Sequence, residues 1–240
     1  MEAKAAGENT IKPNVTERIW IKVLAGLVAT AIFFVFFFLV AGRFDWFRGW
    51  SYLGLIVVGQ GLSALYIWRK DPELLKRRSR MGEGTKGWDK VLLSLFGLAY
   101  FGSLMVGAFD VRFGWSVMSG WFWMAGAIPY LFFVIVLTWA MAVNTHFEKT
   151  VRIQTDRGHR VIDTGPYGIV RHPGYVGTIF GFILPVPFLL GSWWAFVPAC
   201  CGVLFLVIRT VLEDEVLSKE LDGYKEYANN VRYRLVPGLW

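Results

Sequence analysis

The chain of 240 residues is 55% hydrophobic and 17% aromatic, with only 18% charged side chains and a formal charge of +7. So little charge on so much apolar mass excludes an ordinary soluble domain. The basic excess would suit nucleic acid, but its placement assigns it to membrane topology, and no nucleic-acid partner is expected.

A spanning helix needs roughly 20 apolar residues to cross a hydrocarbon layer about 30 Å thick. Six segments qualify: about 19–41, 51–68, 90–109, 119–143, 174–190 and 193–211. The first follows a short polar tail, Met1–Arg18, and is too long for a cleavable signal. On a cytosolic tail the sequon Asn14-Val15-Thr16 would be inert. The fourth span carries no charge from Trp121 to Val143. Pro185-Val186-Pro187 predicts a broken or shallow helix in the fifth. Gly191-Ser192 would join the fifth and sixth as a tight hairpin.

Of the 25 Lys and Arg, the loops 42–50 and 110–118 hold only Arg43, Arg48 and Arg112. The rest fall on the other side, chiefly in loops 69–90 and 144–173 and after Arg209. The positive-inside rule then puts both termini and both long loops in the cytosol, with attraction to anionic membrane lipids as a secondary role. The localisation expected is an integral one, in a bacterial inner membrane or the endoplasmic reticulum. Gly82-Glu83-Gly84-Thr85-Lys86-Gly87 imitates a phosphate loop, but Trp88 and Asp89 stand where Lys and Ser/Thr are needed, so it reads as a connector. Cys200 and Cys201 read as small residues inside the membrane. His146, His159 and His172 lack ligand spacing, and no metal is expected.

The chain divides functionally at residue 143, with four spans before it and a chemistry-bearing region, 144–240, after it. Beyond the sixth span, Val216, Leu217, Leu221, Tyr224, Tyr227 and Val231 recur near helical spacing, predicting an amphipathic cytosolic helix bent near Asp222-Gly223. Two clusters face the same layer. Gly165-Pro166-Tyr167 precedes Arg171-His172-Pro173-Gly174-Tyr175, where Pro173 suits a first helical position beside a cationic, anion-binding corner. Arg209, Glu213, Asp214 and Glu215 leave the sixth span, with Arg209 and Glu213 on one helix face. A hairpin brings the two clusters together, which suits a ligand with separated charges.

As a set, Gly-Pro-Tyr, Arg-His-Pro-Gly-Tyr and Arg209-x-x-x-Glu213-Asp214, with Leu217, Tyr224, Tyr227 and Pro237 downstream, resemble the membrane methyltransferases. That group includes the isoprenylcysteine carboxyl methyltransferases and phospholipid N-methyltransferases. Asp214 departs from the family's usual second Glu. The resemblance implies an all-α polytopic bundle that binds S-adenosylmethionine on the cytosolic side and methylates a hydrophobic or lipid-like acceptor. It implies cofactor binding by Tyr167, Arg171, His172, Pro173, Gly174, Tyr175 and Glu213, and catalytic work by Arg209, Glu213 and Asp214. Arg209 would orient the acceptor. The alternatives are an NADPH-dependent membrane reductase of the sterol-reductase type, which usually has Asn where this chain has Gly174, and a non-catalytic lipid-binding protein.

Overall fold

The computed structural model describes residues 15–78 and 84–240. The tail and sequon up to Asn14, and the connector's Gly82 and Glu83, lie outside them. The described chain is helical throughout. Helices α1 (Val15–Ala41), α2 (Phe47–Lys70), α4 (Gly87–Phe113), α5 (Phe122–Val143), α6 (Pro173–Leu190) and α7 (Phe196–Glu220) are long and apolar enough to cross a membrane. A short α3 (Pro72–Arg78) follows α2, and α8 (Tyr224–Asn230) ends the chain's helices. These six spans match the six read from the sequence. Their outward faces carry Ile32, Leu62, Leu98, Ile128 and Ile135, all exposed, as lipid contact requires. Cys200 and Cys201 lie on that outer face of α7.

The fifth span is continuous despite its prolines. It runs as α-helix over Pro173–Gly177, widens to a π-turn over Thr178–Ile183 and returns to α-helix over Pro185–Leu190. An α-helical Pro185 ring would meet the carbonyl four residues back. The wide turn relieves this, and the Leu184 N–H donates to Ile179 O, five residues back, at 3.0 Å. Along this helix Gly177 and Gly181 let α5 approach closely. A Cβ at either would stand 2.8 Å from the Cβ of Leu137 or Phe133.

Between spans the core is Phe37 and Phe38 of α1, Tyr52 of α2, Leu104 and Ala108 of α4, and Leu189 and Leu190 of α6. One end of the bundle is tied by Asp110, which accepts from the Ser116 N–H at 2.7 Å and the Ser192 hydroxyl at 2.5 Å. Arg48 donates there to Phe188 O and Ser119 O. At the other, basic end, α7 stops at Leu221, and Gly223 turns the chain at φ 78° into α8. The bend expected at Asp222-Gly223 is therefore present. The apolar face of this amphipathic segment (Leu217, Leu221, Tyr224, Tyr227, Val231) packs on Ile153 and Val161. This burial lays the loop 144–173 across the basic end.

Candidate active site

The loop 144–173 is short of regular structure, so its polar backbone groups need side-chain partners. Asn144, just after α5, accepts the His146 N–H through Oδ1 at 2.8 Å and donates from Nδ2 to the Tyr167 hydroxyl at 3.1 Å. Buried Gln154 donates to His146 O at 2.7 Å. Arg152 bridges Glu148 and Asp156 at 2.8 and 2.9 Å. The His146 and His159 rings lie 4.7 Å apart. Burial and this neighbour push His159 down to about 4.

Between this loop, the start of α6 and the end of α7 opens a pocket of about 820 Å³, counted out to its mouth. That falls within the roughly 300–1,000 Å³ of small-molecule sites. Tyr167, Arg171, His172, Gly174, Tyr175 and Glu213, named from the sequence, all line it. Tyr167 comes from the Gly-Pro-Tyr turn, a 3₁₀ turn over Gly165–Gly168, and its carbonyl accepts from the Tyr227 hydroxyl at 2.8 Å. Burial raises the Tyr167 phenol, keeping it a neutral hydrogen-bonding group. Gly174 admits the Phe147 ring, since a Cβ there would stand 2.6 Å from Phe147 Cζ. Pro173 is the first residue of α6 and is buried.

The hairpin does bring the two clusters together, and it joins them. Asp214, 5% exposed, lies 3.0 Å from Arg171 Nε and 3.2 Å from His172 Nε2, and accepts from the Tyr224 hydroxyl at 2.7 Å and Arg234 Nε at 3.0 Å. Arg171 also donates to Ala228 O, and the backbone N–H groups of Arg171 and His172 donate to Tyr233 O and Arg234 O. The cationic corner is thus neutralised by Asp214 and pinned to the C-terminal segment.

Arg209 is similarly enclosed. Its Nε donates to Asp89 Oδ1 and its Nη2 to Lys149 O, both at 2.6 Å, and its guanidinium lies 5.1 Å from the Tyr175 ring centre. Asp89, wholly buried, accepts the Val151 N–H through its other oxygen at 2.8 Å. One carboxylate therefore fixes Arg209 and the loop at once. Glu213 accepts from the Tyr175 hydroxyl and forms no ion pair among the described residues, although it lines the pocket. Asp89, Tyr224 and Arg234 were not among the site residues read from the sequence. The signal for Asp89 was a lone acid at the start of one span with an unmatched arginine at the end of another.

Comparison with known proteins bears on this geometry directly. Residues 125–219 match the isoprenylcysteine carboxyl methyltransferase family. The matched stretch begins inside α5 and ends one residue before the end of α7, so it contains the pocket's α6 and α7 walls. No curated protein matches the chain. A methyltransferase family match leaves the reductase and non-catalytic readings without support. With its six spanning helices, the protein is an integral membrane methyltransferase whose residues 125–219 carry the isoprenylcysteine carboxyl methyltransferase family region.

Proposed function

We propose that the protein transfers the methyl group of S-adenosylmethionine to a hydrophobic, membrane-associated acceptor at the cytosolic face, the face its basic loops mark. The observation that carries this reading is Glu213. It is a carboxylate lining the pocket without an ion-pair partner among the described residues, and it is bonded to the tyrosine beside it. A carboxylate between aromatic faces suits a ligand carrying an ammonium and a sulfonium. The pocket's volume fits such a molecule.

When bound, the cofactor supplies the electrophilic methyl carbon for an in-line displacement. The chain's own residues have the remaining tasks. Glu213 holds positive charge, and Tyr175 and Tyr167 offer aromatic faces to it. Arg171 and His172 present donors to a carboxylate, with Asp214 fixing their orientation. Pro173 and Gly174 form the first turn under Phe147, which closes that side against water. Asp214, with four donors on it, holds the wall of the pocket and is not free to take a proton. Arg209, engaged by Asp89 and Lys149 O, supports the Tyr175 ring, and through its hydroxyl Glu213.

The acceptor's apolar part has a place to lie. A groove between α2 and α5 is lined by Leu55, Val58, Leu62, Tyr66, Ile135 and Trp139 and opens toward lipid. Trp139 abuts Gly165, the start of the Gly-Pro-Tyr turn, because a Cβ there would stand 3.1 Å from the indole nitrogen. An isoprenylcysteine carboxylate or a phospholipid amine would both suit lateral entry along it.

Thermal unfolding in detergent with S-adenosylhomocysteine or NADPH tests the reading. A ligand at a hundred times its Kd stabilises the folded state by about 2.7 kcal/mol. S-adenosylhomocysteine should raise the midpoint and NADPH should not. Protection by NADPH alone, or by neither, contradicts the proposal.

A further inference from the structure

The arginines around the pocket are accounted for, with one exception. Arg171 is held by Asp214, Arg209 by Asp89, and Arg152 by Glu148 and Asp156. Arg78 is different. It ends α3, which follows α2 after the single residue Asp71. Leu74, 1% exposed, and Leu75 pack with Ile67, Leu137, Met141 and Phe147. This burial presses the end of α3 against the back of a pocket wall. There the Arg78 guanidinium carbon lies 4.8 Å from the centre of the Phe147 ring.

Arg78 Nη1 is buried and has no hydrogen-bond partner, and Arg78 forms no ion pair among the described residues. Its recorded neighbours are the Phe147 ring and, electrostatically, the Tyr167 phenol, and both residues line the pocket. Burial pushes its basicity down, yet a guanidinium keeps its proton in proteins. A buried cation without a counter-ion is costly, and a cation–π contact offsets only part of that cost. An anion that arrived with two oxygens would meet the fork of donors such a group presents.

We propose that Arg78 is the anion-recognising residue of the acceptor site, and that the acceptor is an amphiphile bearing a carboxylate or phosphate beside the pocket. This rests on the methyl-transfer reading above and narrows its acceptor to an anionic class. It also assigns to Arg78 the orienting task that the sequence assigned to Arg209.

The test uses full-length protein in phosphatidylcholine nanodiscs and two pairs of probes. One pair is N-acetyl-S-farnesylcysteine and its carboxamide, and the other is farnesyl phosphate and farnesol. Wild type should bind at least one anionic probe about tenfold or more tighter than its uncharged counterpart, the scale of a charge-assisted hydrogen bond. The pair that discriminates identifies carboxylate or phosphate as the source. Arg78→Gln should reduce the preference to within about twofold, with S-adenosylhomocysteine binding measured alongside to show that the pocket is folded. A second readout needs no variant. The preferred anionic probe should slow phenylglyoxal modification of Arg78, read by mass spectrometry, and its uncharged counterpart should not. Equal or absent binding within both pairs, a preference that survives Arg78→Gln, or Arg78 modified at one rate throughout each overturns the inference. Loss of S-adenosylhomocysteine binding by wild type would instead count against the methyl-transfer reading, because the charge preference is measured without cofactor.

Discussion

Asp214→Asn is the sharpest perturbation of the site's framework. The change keeps the side chain's shape and removes its charge. It also turns an amide NH₂ toward groups that are themselves donors: Arg171, Tyr224 and Arg234, with His172 beside them. Removing one partner of a buried ion pair costs about 3–5 kcal/mol, because the other charge stays buried. Arg171 and Asp214 side chains are each 7% exposed, so Arg171 cannot recover its hydration where it stands. The Arg234 side chain is 32% exposed and can turn to water. The lower end, about 3 kcal/mol, is therefore expected. For a chain of this size that corresponds to a midpoint lower by about 6–12 °C. Differential scanning fluorimetry in one detergent, read against Asp214→Glu, measures it. The Glu variant keeps the charge and adds one methylene, so it should lose less, about 1–3 kcal/mol. A midpoint for Asp214→Asn within about 2 °C of wild type would refute the four-donor account.

Asp89→Asn should also destabilise the fold by about 3 kcal/mol or more, by leaving Arg209 buried without its carboxylate. It should lower methyl transfer at saturating cofactor, and an unchanged turnover would remove Arg209 and Asp89 from the site. Gly177→Ala puts a Cβ 2.8 Å from Leu137 Cβ and 3.1 Å from its backbone, so a loss of about 1–3 kcal/mol is expected in the same fluorimetry. Burial lowers His159 from 6.5 to about 4. Between those values the unfolded chain takes up a proton that the folded one refuses. Stability contributed by keeping His159 neutral is then full above about pH 6.5, falls as pH drops toward 4, and levels off below. A midpoint-against-pH curve should show that slope flattened in His159→Asn, and parallel curves would contradict it.

The spans were legible because the bilayer imposes a length and a polarity that need no tertiary knowledge. The meeting of Arg171 and His172 with Asp214 followed from the hairpin alone, since a tight turn at Gly191 makes the far ends of α6 and α7 neighbours. The bend at Gly223 could be read from one glycine inside an amphipathic pattern. Which donors meet which acceptors could not be read. Asp89 looked like an acid placed for the dipole of a helix start, and only folding shows it wholly buried beneath Arg209. Arg78 was lost within a basic loop whose charges serve topology. Its difference from the other basic residues is the packing of Leu74 and Leu75 before it. The prolines of α6 predicted a break because proline rules are written for α-turns, and the π-turn avoids the clash. Tyr224, placed by period on an apolar face, is indeed buried there, but its hydroxyl reaches Asp214.

The most direct measurement of the central claim is calorimetric binding of S-adenosylhomocysteine to detergent-purified wild type, Glu213→Ala and His172→Ala. The account predicts saturable one-site binding to wild type that both substitutions weaken by about tenfold or more, the worth of a charge-assisted hydrogen bond. Folded wild type that binds none, or variants that bind as wild type does, would contradict it.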